Sequence, residues 1–341
     1  MSLLLSRSTQ ETHFHFGSWG LCTSTLQGGP QITSRVVLLH LCKTKRPEVI
    51  ASRNQVRIIV FIASSFRVKK SKVKKKKKKR KKEDNNNLLK LRSKLDSRVA
   101  SQLFVEHKHK LTYCEVPKVG CSNWKRIIFI LQAGLEVEAS EIEHDHIHQT
   151  SLIKRLAAYP PPVQEEFLNN YTKVMFTRHP LERLVSAYRD KLLHSEPYYS
   201  TTVANEIRAM FRKNKNSSEK VSFQEFVSFI IAKPMNTLDI HWKPMFLLCD
   251  PCNIHYDILG KYETLGLDSE HVLKAIGAPE SLQYPSLKRY GSEKRTYGDI
   301  TLEYLRQLSS EQIEKIKKLY EMDFLLFNYT MKYEDYFSLK S

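Results

Sequence analysis

The chain is 341 residues long and sets 55 lysines and arginines against 36 aspartates and glutamates, a formal net charge of +19. Much of the excess is local: residues 69–82 hold twelve of the cations, and without them 43 basic residues face 36 acidic ones, a charge of +7. That balance excludes a nucleic-acid-binding protein that is basic throughout, and the length allows one large core of about 230 residues plus a tail.

Residues 1–85 show little organisation, and 86–100 read as a linker or stem. Met1 to Phe16 lacks the basic start and long apolar run of a signal peptide. The most apolar piece, Arg57 to Arg67, places nine residues between two arginines, where crossing a bilayer takes about 20. The lysine run 74–82 is followed by Glu83, Asp84 and three asparagines and reads as a solvated, disordered segment. No aromatic residues interleave it, so bases find no stacking platform and no nucleic-acid partner is expected.

From Leu88 the composition becomes that of a globular domain, expected over 101–335. Leu111 to Val116 is β-compatible, Pro117 stops the run, and Trp124, Ile127, Ile128 and Leu131 recur at the i, i+3, i+4, i+7 spacing of a helix face. Strand, tight loop and helix are predicted. Lys118, Gly120, Ser122 and Asn123 then gather a cation, free backbone N–H groups and small donors at a helix N-terminus, which is an anion site.

Glu141 to His148 crowds three histidines and an aspartate into its last five residues, and His144 with His148 is an i, i+4 pair if helical. No matching Cys or His set stands nearby, so no metal is expected. After Pro160–Pro162 a helix begins at Gln164, and a second copy of the strand–loop–helix construction follows. Tyr171 to Thr177 is the strand, Arg178 and His179 the loop, and Pro180 suits the first helical position. Leu181, Leu184, Val185 and Tyr188 repeat the apolar stripe, with Ser186 beside it. Two anion-binding turns suggest a ligand with two separated phosphates.

Further along, Ala204–Lys213 reads as a basic amphipathic helix, and Ser222–Glu225 as a capping box opening an apolar helix over Phe223–Ala232 that Pro234 closes. Cys249-Asp-Pro-Cys252 in isolation suits half a zinc site or a redox pair, and Tyr256–Glu263 a strand. A basic loop, Ser292–Thr296, precedes two helices, the second opened by Ser309–Gln312 and carrying Ile313, Ile316, Leu319 and Tyr320 inward. Asn170, Asn216 and Asn328 head glycosylation sequons; Asn216 has the most loop-like setting, and Asn170 adjoins a strand that would bury it.

The loop Val116–Arg126 and the segment Arg178–Lys191, Arg-His-Pro-Leu-Glu-Arg-Leu-Val-Ser-Ala-Tyr-Arg-Asp-Lys, closely resemble those of Golgi carbohydrate sulfotransferases. With Cys249–Cys252 and Gly260-Lys-Tyr-Glu263, they look more like the chondroitin, dermatan and N-acetylgalactosamine 4-O branch than the glucuronyl 3-O branch. The resemblance implies an α/β, P-loop-like fold with a central parallel sheet flanked by helices. It also implies a Golgi membrane enzyme with a lumenal catalytic domain and a type II anchor, which residues 1–85 do not display. The implied donor is 3′-phosphoadenosine 5′-phosphosulfate, without a metal, and the implied acceptor an anionic glycosaminoglycan or an N-acetylgalactosamine-bearing glycan.

Site residues follow from the same resemblance. Pro117, Lys118, Val119, Gly120, Cys121, Ser122, Asn123 and Trp124 would hold the 5′ end, with Lys118 neutralising the bridging oxygen. Arg178 and Ser186 would hold the 3′-phosphate, and His148 would be the general base, with His241 in reserve and Trp242 beside it. Lys261 and Glu263 would sit at a strand end near the ligand. In an oxidising lumen the cysteines are expected in disulfides, with Cys114 and Cys121 as further partners and the connectivity open. Arg189, Lys191, Arg208, Arg212 and Lys213 suit either a groove for an anionic polysaccharide or a solvated face. A kinase loop would need Gly-x-x-x-x-Gly-Lys-Ser/Thr, which residues 115–123 lack. A catalytically silent nucleotide-binding relative is the alternative that remains.

Overall fold

The computed structural model describes residues 94–194, 196–214, 217–285 and 295–331; the lysine run, Asn216 and residues 292–294 lie outside them. Helix α1 (Ser97–Ala100) starts where the Asp96 side chain accepts from the Arg98 N–H at 2.8 Å. It buries Val99 and Ala100, so the end of the expected linker already packs on the core. Strands β1 (Leu103–Glu106) and β2 (Leu111–Cys114) pair antiparallel across a turn in which Lys110 takes φ 54°. Glu106 holds that turn by accepting from the N–H groups of Lys108 and His109, both at 2.8 Å.

Helix α2 (Cys121–Ala133) follows the first loop and ends at Gly134, whose φ of 68° provides the left-handed C-cap. After it come α3 (His144–Gln149), β3 (Lys154–Arg155), α4 (Pro161–Asn170), β4 (Thr172–Thr177) and α5 (Pro180–Leu192). The sheet order is β3-β1-β2-β4-β5, where β5 is Ile258–Lys261. β2, β4 and β5 run parallel, as expected for strands joined by helical crossovers, whereas on one side β1 pairs antiparallel with both β2 and β3. The sheet is therefore mixed, with a parallel centre.

β5 is shorter than the predicted Tyr256–Glu263 strand. The Lys261 N–H is taken at 2.8 Å by the Asp268 side chain, which ends the ladder and lets Tyr262–Thr264 wind into a 3-10 turn. At the other end, the Asp257 carboxylate accepts from the Lys173 N–H at 3.0 Å.

The remaining helices divide between the core around the sheet and a second core. A π-helical turn (Tyr198–Val203) runs into α6 (Ala204–Phe211), followed by α7 (Phe223–Ala232), α8 (Met245–Cys249), α9 (Pro251–Ile254), α10 (Leu265–Ala275), α11 (Gly298–Leu305), α12 (Ser310–Leu319) and α13 (Glu321–Leu326). Both capping boxes form: Ser222 with Glu225, and Ser309 with Gln312. Phe223, Phe226, Val227 and Ile230 pack with Leu184, Val185 and Ile316 into one core, while Trp124, Ile127, Ile128 and Leu131 join Val174 and Phe176 around the sheet. Truncating a buried phenylalanine such as Phe226 to alanine costs about 3–5 kcal/mol.

A disulfide joins Cys114 at the end of β2 to Cys249 at the end of α8, so Cys249 pairs across the fold and not with Cys252. Cys121 is a free thiol. Asn170 lies exposed at the last residue of α4; the chain turns before β4, which corrects the expectation that the strand would bury it.

Candidate active site

The first loop is shaped by two residues in the left-handed region, Lys118 at φ 72° and Gly120 at φ 88°. Gly120 also has no room for a side chain, because a Cβ there would stand 2.5 Å from the Tyr284 hydroxyl and 2.7 Å from Leu265 Cδ2. Tyr284 donates to the Gly120 carbonyl at 3.2 Å. Gly120 caps α2 without a side-chain hydrogen bond, which leaves the first-turn N–H groups available to an anion.

Two arginines from the second unit grip this loop. Arg178 donates to the Lys118 carbonyl at 3.1 Å, and Arg183 donates to the Pro117 carbonyl at 3.0 Å. Because a trans peptide points its N–H opposite its C=O, carbonyls turned toward the arginines direct the Lys118 and Val119 N–H groups the other way. The two strand–loop–helix units are thus one structure. Arg178 is 2% exposed; it also donates to the Thr296 carbonyl, faces Glu182 Oε2 at 3.6 Å and lies over the Tyr262 ring at 4.1 Å.

The Lys118 ammonium lies 3.1 Å from Asp190 Oδ2 near the end of α5. Burial pushes the Lys118 pKa down against the pull of Asp190, and the Arg178 charge adds to the depression. Burial pushes Asp190 up, but Lys118 and then Lys191 outweigh it and hold the carboxyl below its ordinary range. Ser186 is half-buried one turn before Asp190 on the same helix.

The remaining expected donor residues divide. Val119 and Trp124 are wholly buried, and Trp124 stacks on Tyr113 at 5.5 Å and tilts against Phe176 at 5.3 Å. Its side chain supports the loop from below and does not line it. Asn123 Oδ1 accepts from Arg126 at 2.8 Å, tying the first turn of α2 to the Ile142 carbonyl, which Arg126 also holds at 2.7 Å. Ser122 Oγ and His148 Nε2 are 3.5 Å apart.

His148 Nδ1 faces the Lys125 ammonium at 3.1 Å, and Lys125 is buried against Glu115, which Arg155 holds from the other side at 2.7 Å. Partial burial and then the charges of Lys125 and His144 push the His148 pKa down to about 4. The ring is therefore neutral at pH 7. An ammonium facing Nδ1 makes that nitrogen the acceptor and assigns the proton to Nε2. His144 tilts against His148 with centroids 4.5 Å apart, while His146 turns to Phe129, so the three histidines do not converge. Among the described residues no group of three or more His, Cys, Asp or Glu is placed to hold a metal ion.

His241 has the opposite arrangement. Its Nδ1 lies 2.7 Å from Asp239 Oδ1 and 3.0 Å from the Tyr199 hydroxyl, which donates to Asp239 Oδ2 at 3.0 Å. A carboxylate facing Nδ1 fixes the proton there and leaves Nε2 as the free acceptor. Burial pushes Asp239 up, but its hydrogen bonds from His241 prevail and hold it low. Trp242 is buried behind this loop, so it is a support and not an acceptor-site surface.

A cavity of about 340 Å³ opens beside Arg178, walled by Tyr262, Leu265 and Tyr297 with the carboxylates of Glu182 and Glu263. Glu263 accepts from the His179 N–H at 3.1 Å and from the Tyr329 hydroxyl at 3.0 Å, so it braces the second loop. Lys261 reaches the Asn328 carbonyl at 3.3 Å and stands over the Tyr329 ring; the two strand-end residues serve the fold around the site.

Sequence reasoning missed Arg183, Asp190, Asp239 and Tyr199. For Arg183 one signal was present: a cation directly beside the apolar stripe of α5. It is 1% exposed and also donates to the carbonyls of Ile240 and Lys243 at 2.7 and 2.8 Å, binding the His241 loop to the Lys118 loop. Of the basic groups considered for a polysaccharide groove, Arg212 is buried and holds Glu225 and the carbonyls of 217, 219 and 220, a structural role; Arg189 donates to the Thr296 hydroxyl at 2.7 Å.

An α/β domain in which two strand-to-helix loops are clamped together beside a cavity is an arrangement shared by nucleotide-dependent group-transfer folds. The chain belongs to the sulfotransferase family, whose model matches residues 101–330. It is 40% identical over 252 residues to carbohydrate sulfotransferase 8 of Mus musculus, covering 72% of this chain and 60% of that protein. It is 41% identical over 238 residues to carbohydrate sulfotransferase 9 of Homo sapiens (67% and 53%), and 36% identical over 245 residues to carbohydrate sulfotransferase 11 of Rattus norvegicus (67% and 67%). The chain therefore spans about three-fifths or less of the length of the first two. No solved structure matches it significantly.

Proposed function

We propose that this chain is a carbohydrate O-sulfotransferase that moves the sulfuryl group of 3′-phosphoadenosine 5′-phosphosulfate to a sugar hydroxyl, the 4-OH of N-acetylgalactosamine in chondroitin, dermatan or N-acetylgalactosamine-terminated glycans. The observation that carries this reading is the grip of Arg178 and Arg183 on the carbonyls of Lys118 and Pro117, which makes the two anion loops one site. Family membership and relatives named carbohydrate sulfotransferases support the reaction class. The motif resemblance supports the acceptor.

In this scheme the first-turn N–H groups of α2 and Lys118 hold the 5′ end, and Arg178 with Ser186 the 3′-phosphate. The carboxylates of Glu182 and Glu263 repel phosphate but suit the amino edge of a purine, so the adenine goes into the cavity between Tyr262 and Tyr297. The acceptor oxygen attacks sulfur in line, its proton goes to a histidine, and Lys118 stabilises charge on the departing phosphate oxygen. The resemblance pointed to His148 as that base. His241 is the better candidate by geometry, since its Nε2 is the free acceptor while His148 Nδ1 is occupied by Lys125.

A Golgi-lumenal setting at a membrane is part of the proposal, supported by the family and by the Cys114–Cys249 disulfide, a bond of oxidising compartments. Among the described residues no helix is long and apolar enough to cross a membrane. Labelled donor assayed against chondroitin, dermatan and terminal N-acetylgalactosamine acceptors tests the function. Transfer to a glucuronyl acceptor alone would select the 3-O reaction, and tight binding of 3′,5′-bisphosphoadenosine without transfer would select the silent relative.

A further inference from the structure

His148 has no proton to accept once the acceptor hydroxyl is served by His241, yet its surroundings hold the ring in one defined state. Ile147 is buried and anchors α3, whereas His148 is exposed, so a ligand can reach it. Behind the ring, Lys125 is 4% exposed and paired with Glu115. Burial pushes Glu115 up, but Lys125 and Arg155 outweigh it and hold the carboxyl below its ordinary range, which supplies the counter-ion a buried ammonium needs. An ammonium has three N–H donors and no acceptor, so its 3.1 Å contact with Nδ1 requires the ring proton to be on Nε2. That Nε2–H is directed at the first turn of α2, 3.5 Å from Ser122 Oγ, a contact too long to hold it firmly. Gly120 caps the same turn with no side-chain hydrogen bond.

We propose that His148 is a catalytic residue that acts as a neutral hydrogen-bond donor, its Nε2–H joining the first-turn N–H groups of α2 on the 5′-phosphate of the nucleotide. This rests on the reading that α2 holds the 5′ end. The 5′-phosphate carries one negative charge in the sulfated donor and up to two once the sulfur–oxygen bond has broken. The hydrogen bond therefore strengthens as the reaction proceeds and contributes to rate as well as to affinity. Lys125 is the device that makes this donor permanent. Partial burial, then Lys125 and His144, and after them Lys191, oppose the imidazolium against the single favourable charge of Glu115. The ring thus keeps one tautomer and one charge across the neutral range, and a group whose accepting nitrogen is already engaged cannot also serve as the base.

The test compares His148→Gln with His148→Leu in the full chain. Glutamine keeps an N–H donor near the position of Nε2 but takes up no proton, and leucine has neither property. His148→Leu is expected to weaken binding of 3′,5′-bisphosphoadenosine by calorimetry, and to lower kcat/KM, about 10- to 100-fold, the range for a hydrogen bond to a charged group. His148→Gln is expected to stay within about tenfold of wild type and to keep the acid limb of the pH–rate profile. Adenosine 3′-phosphate, which lacks the 5′-phosphate, is expected to bind both variants as it binds the wild type. A glutamine variant as slow as the leucine one, with the acid limb gone, makes His148 the base and overturns the proposal. So does a leucine variant that binds 3′,5′-bisphosphoadenosine as tightly as wild type, or one that loses both nucleotides alike. A wild-type protein that binds neither nucleotide overturns the nucleotide reading and this proposal with it.

Discussion

Replacing Arg183 by methionine isolates the contact that joins the donor loop to the His241 loop. The guanidinium gives three hydrogen bonds to carbonyls, to Pro117 at 3.0 Å, Ile240 at 2.7 Å and Lys243 at 2.8 Å. At about 1 kcal/mol net for each, losing them costs about 3 kcal/mol, and buried carbonyls left without donors raise the figure. Against this, methionine removes a charge whose burial is itself unfavourable, the cause that pushes the Arg183 pKa down. The expected net loss is about 2–4 kcal/mol, a fall in melting temperature on the order of 5–15 °C for a domain of this size. Denaturant unfolding with a constant m-value measures the first term. Transfer kinetics below the variant's melting temperature measure the second: kcat is expected to fall at least tenfold, because the loops lose their common clamp, while donor binding at Arg178 persists. A destabilisation under about 1 kcal/mol with unchanged kcat would refute the idea that Arg183 sets the spacing.

Lys118→Ala is expected to lower kcat about 10²-fold or more with a smaller change in donor KM, since its charge matters most as the sulfur–oxygen bond breaks; steady-state kinetics decide it. Gly120→Ala must accept φ 88° and a Cβ 2.5 Å from Tyr284, so a stability loss of about 1–3 kcal/mol and weaker binding of 3′,5′-bisphosphoadenosine by calorimetry are expected. His241→Gln should reduce transfer about 10²–10⁴-fold and His148→Gln less than tenfold; the reverse order would return the base to His148. Imidazole ¹⁵N spectra should show His148 neutral with its proton on Nε2 at pH 7 and titrating near 4, and Lys125→Met should move that titration upward. Because the folded-state pKa lies below the ordinary 6.5, the His148 contribution to stability is present above about pH 6.5 and fades as pH falls toward 4.

The two strand–loop–helix units were legible because each rests on local rules: Pro117 and Pro180 punctuate the chain, and the apolar stripes after them have helical period. The capping boxes at Ser222 and Ser309 were legible for the same reason. What local pattern could not reveal was distance in the fold. Asp239 holds His241 two residues away, but Tyr199 reaches both from about forty residues off, and Arg183 reaches Pro117 across 66 residues. Trp124 misled in the other direction. It sits in the donor motif, yet helical periodicity already placed it with Ile127, Ile128 and Leu131, and the periodicity described its environment better than the motif did.

The segment from Asp239 to Cys249 shows why the site needs more than its two loops. Arg183 holds the carbonyls of Ile240 and Lys243, Tyr320 donates to the Trp242 carbonyl at 2.5 Å, and Asp323 accepts from the N–H groups of Met245 and Phe246 at 2.7 and 2.9 Å. Cys249 then closes the segment onto β2 through Cys114. Four side chains from three distant parts of the chain therefore fix this stretch, whose one helix is α8. A misplacement of about 1 Å between base and donor costs about 10²-fold in rate, so in the proposed reaction the scaffold that holds the donor must also hold the histidine. That requirement accounts for buried polar groups, Arg183 and Asp323 above all, at positions where an apolar side chain would have stabilised the core more simply.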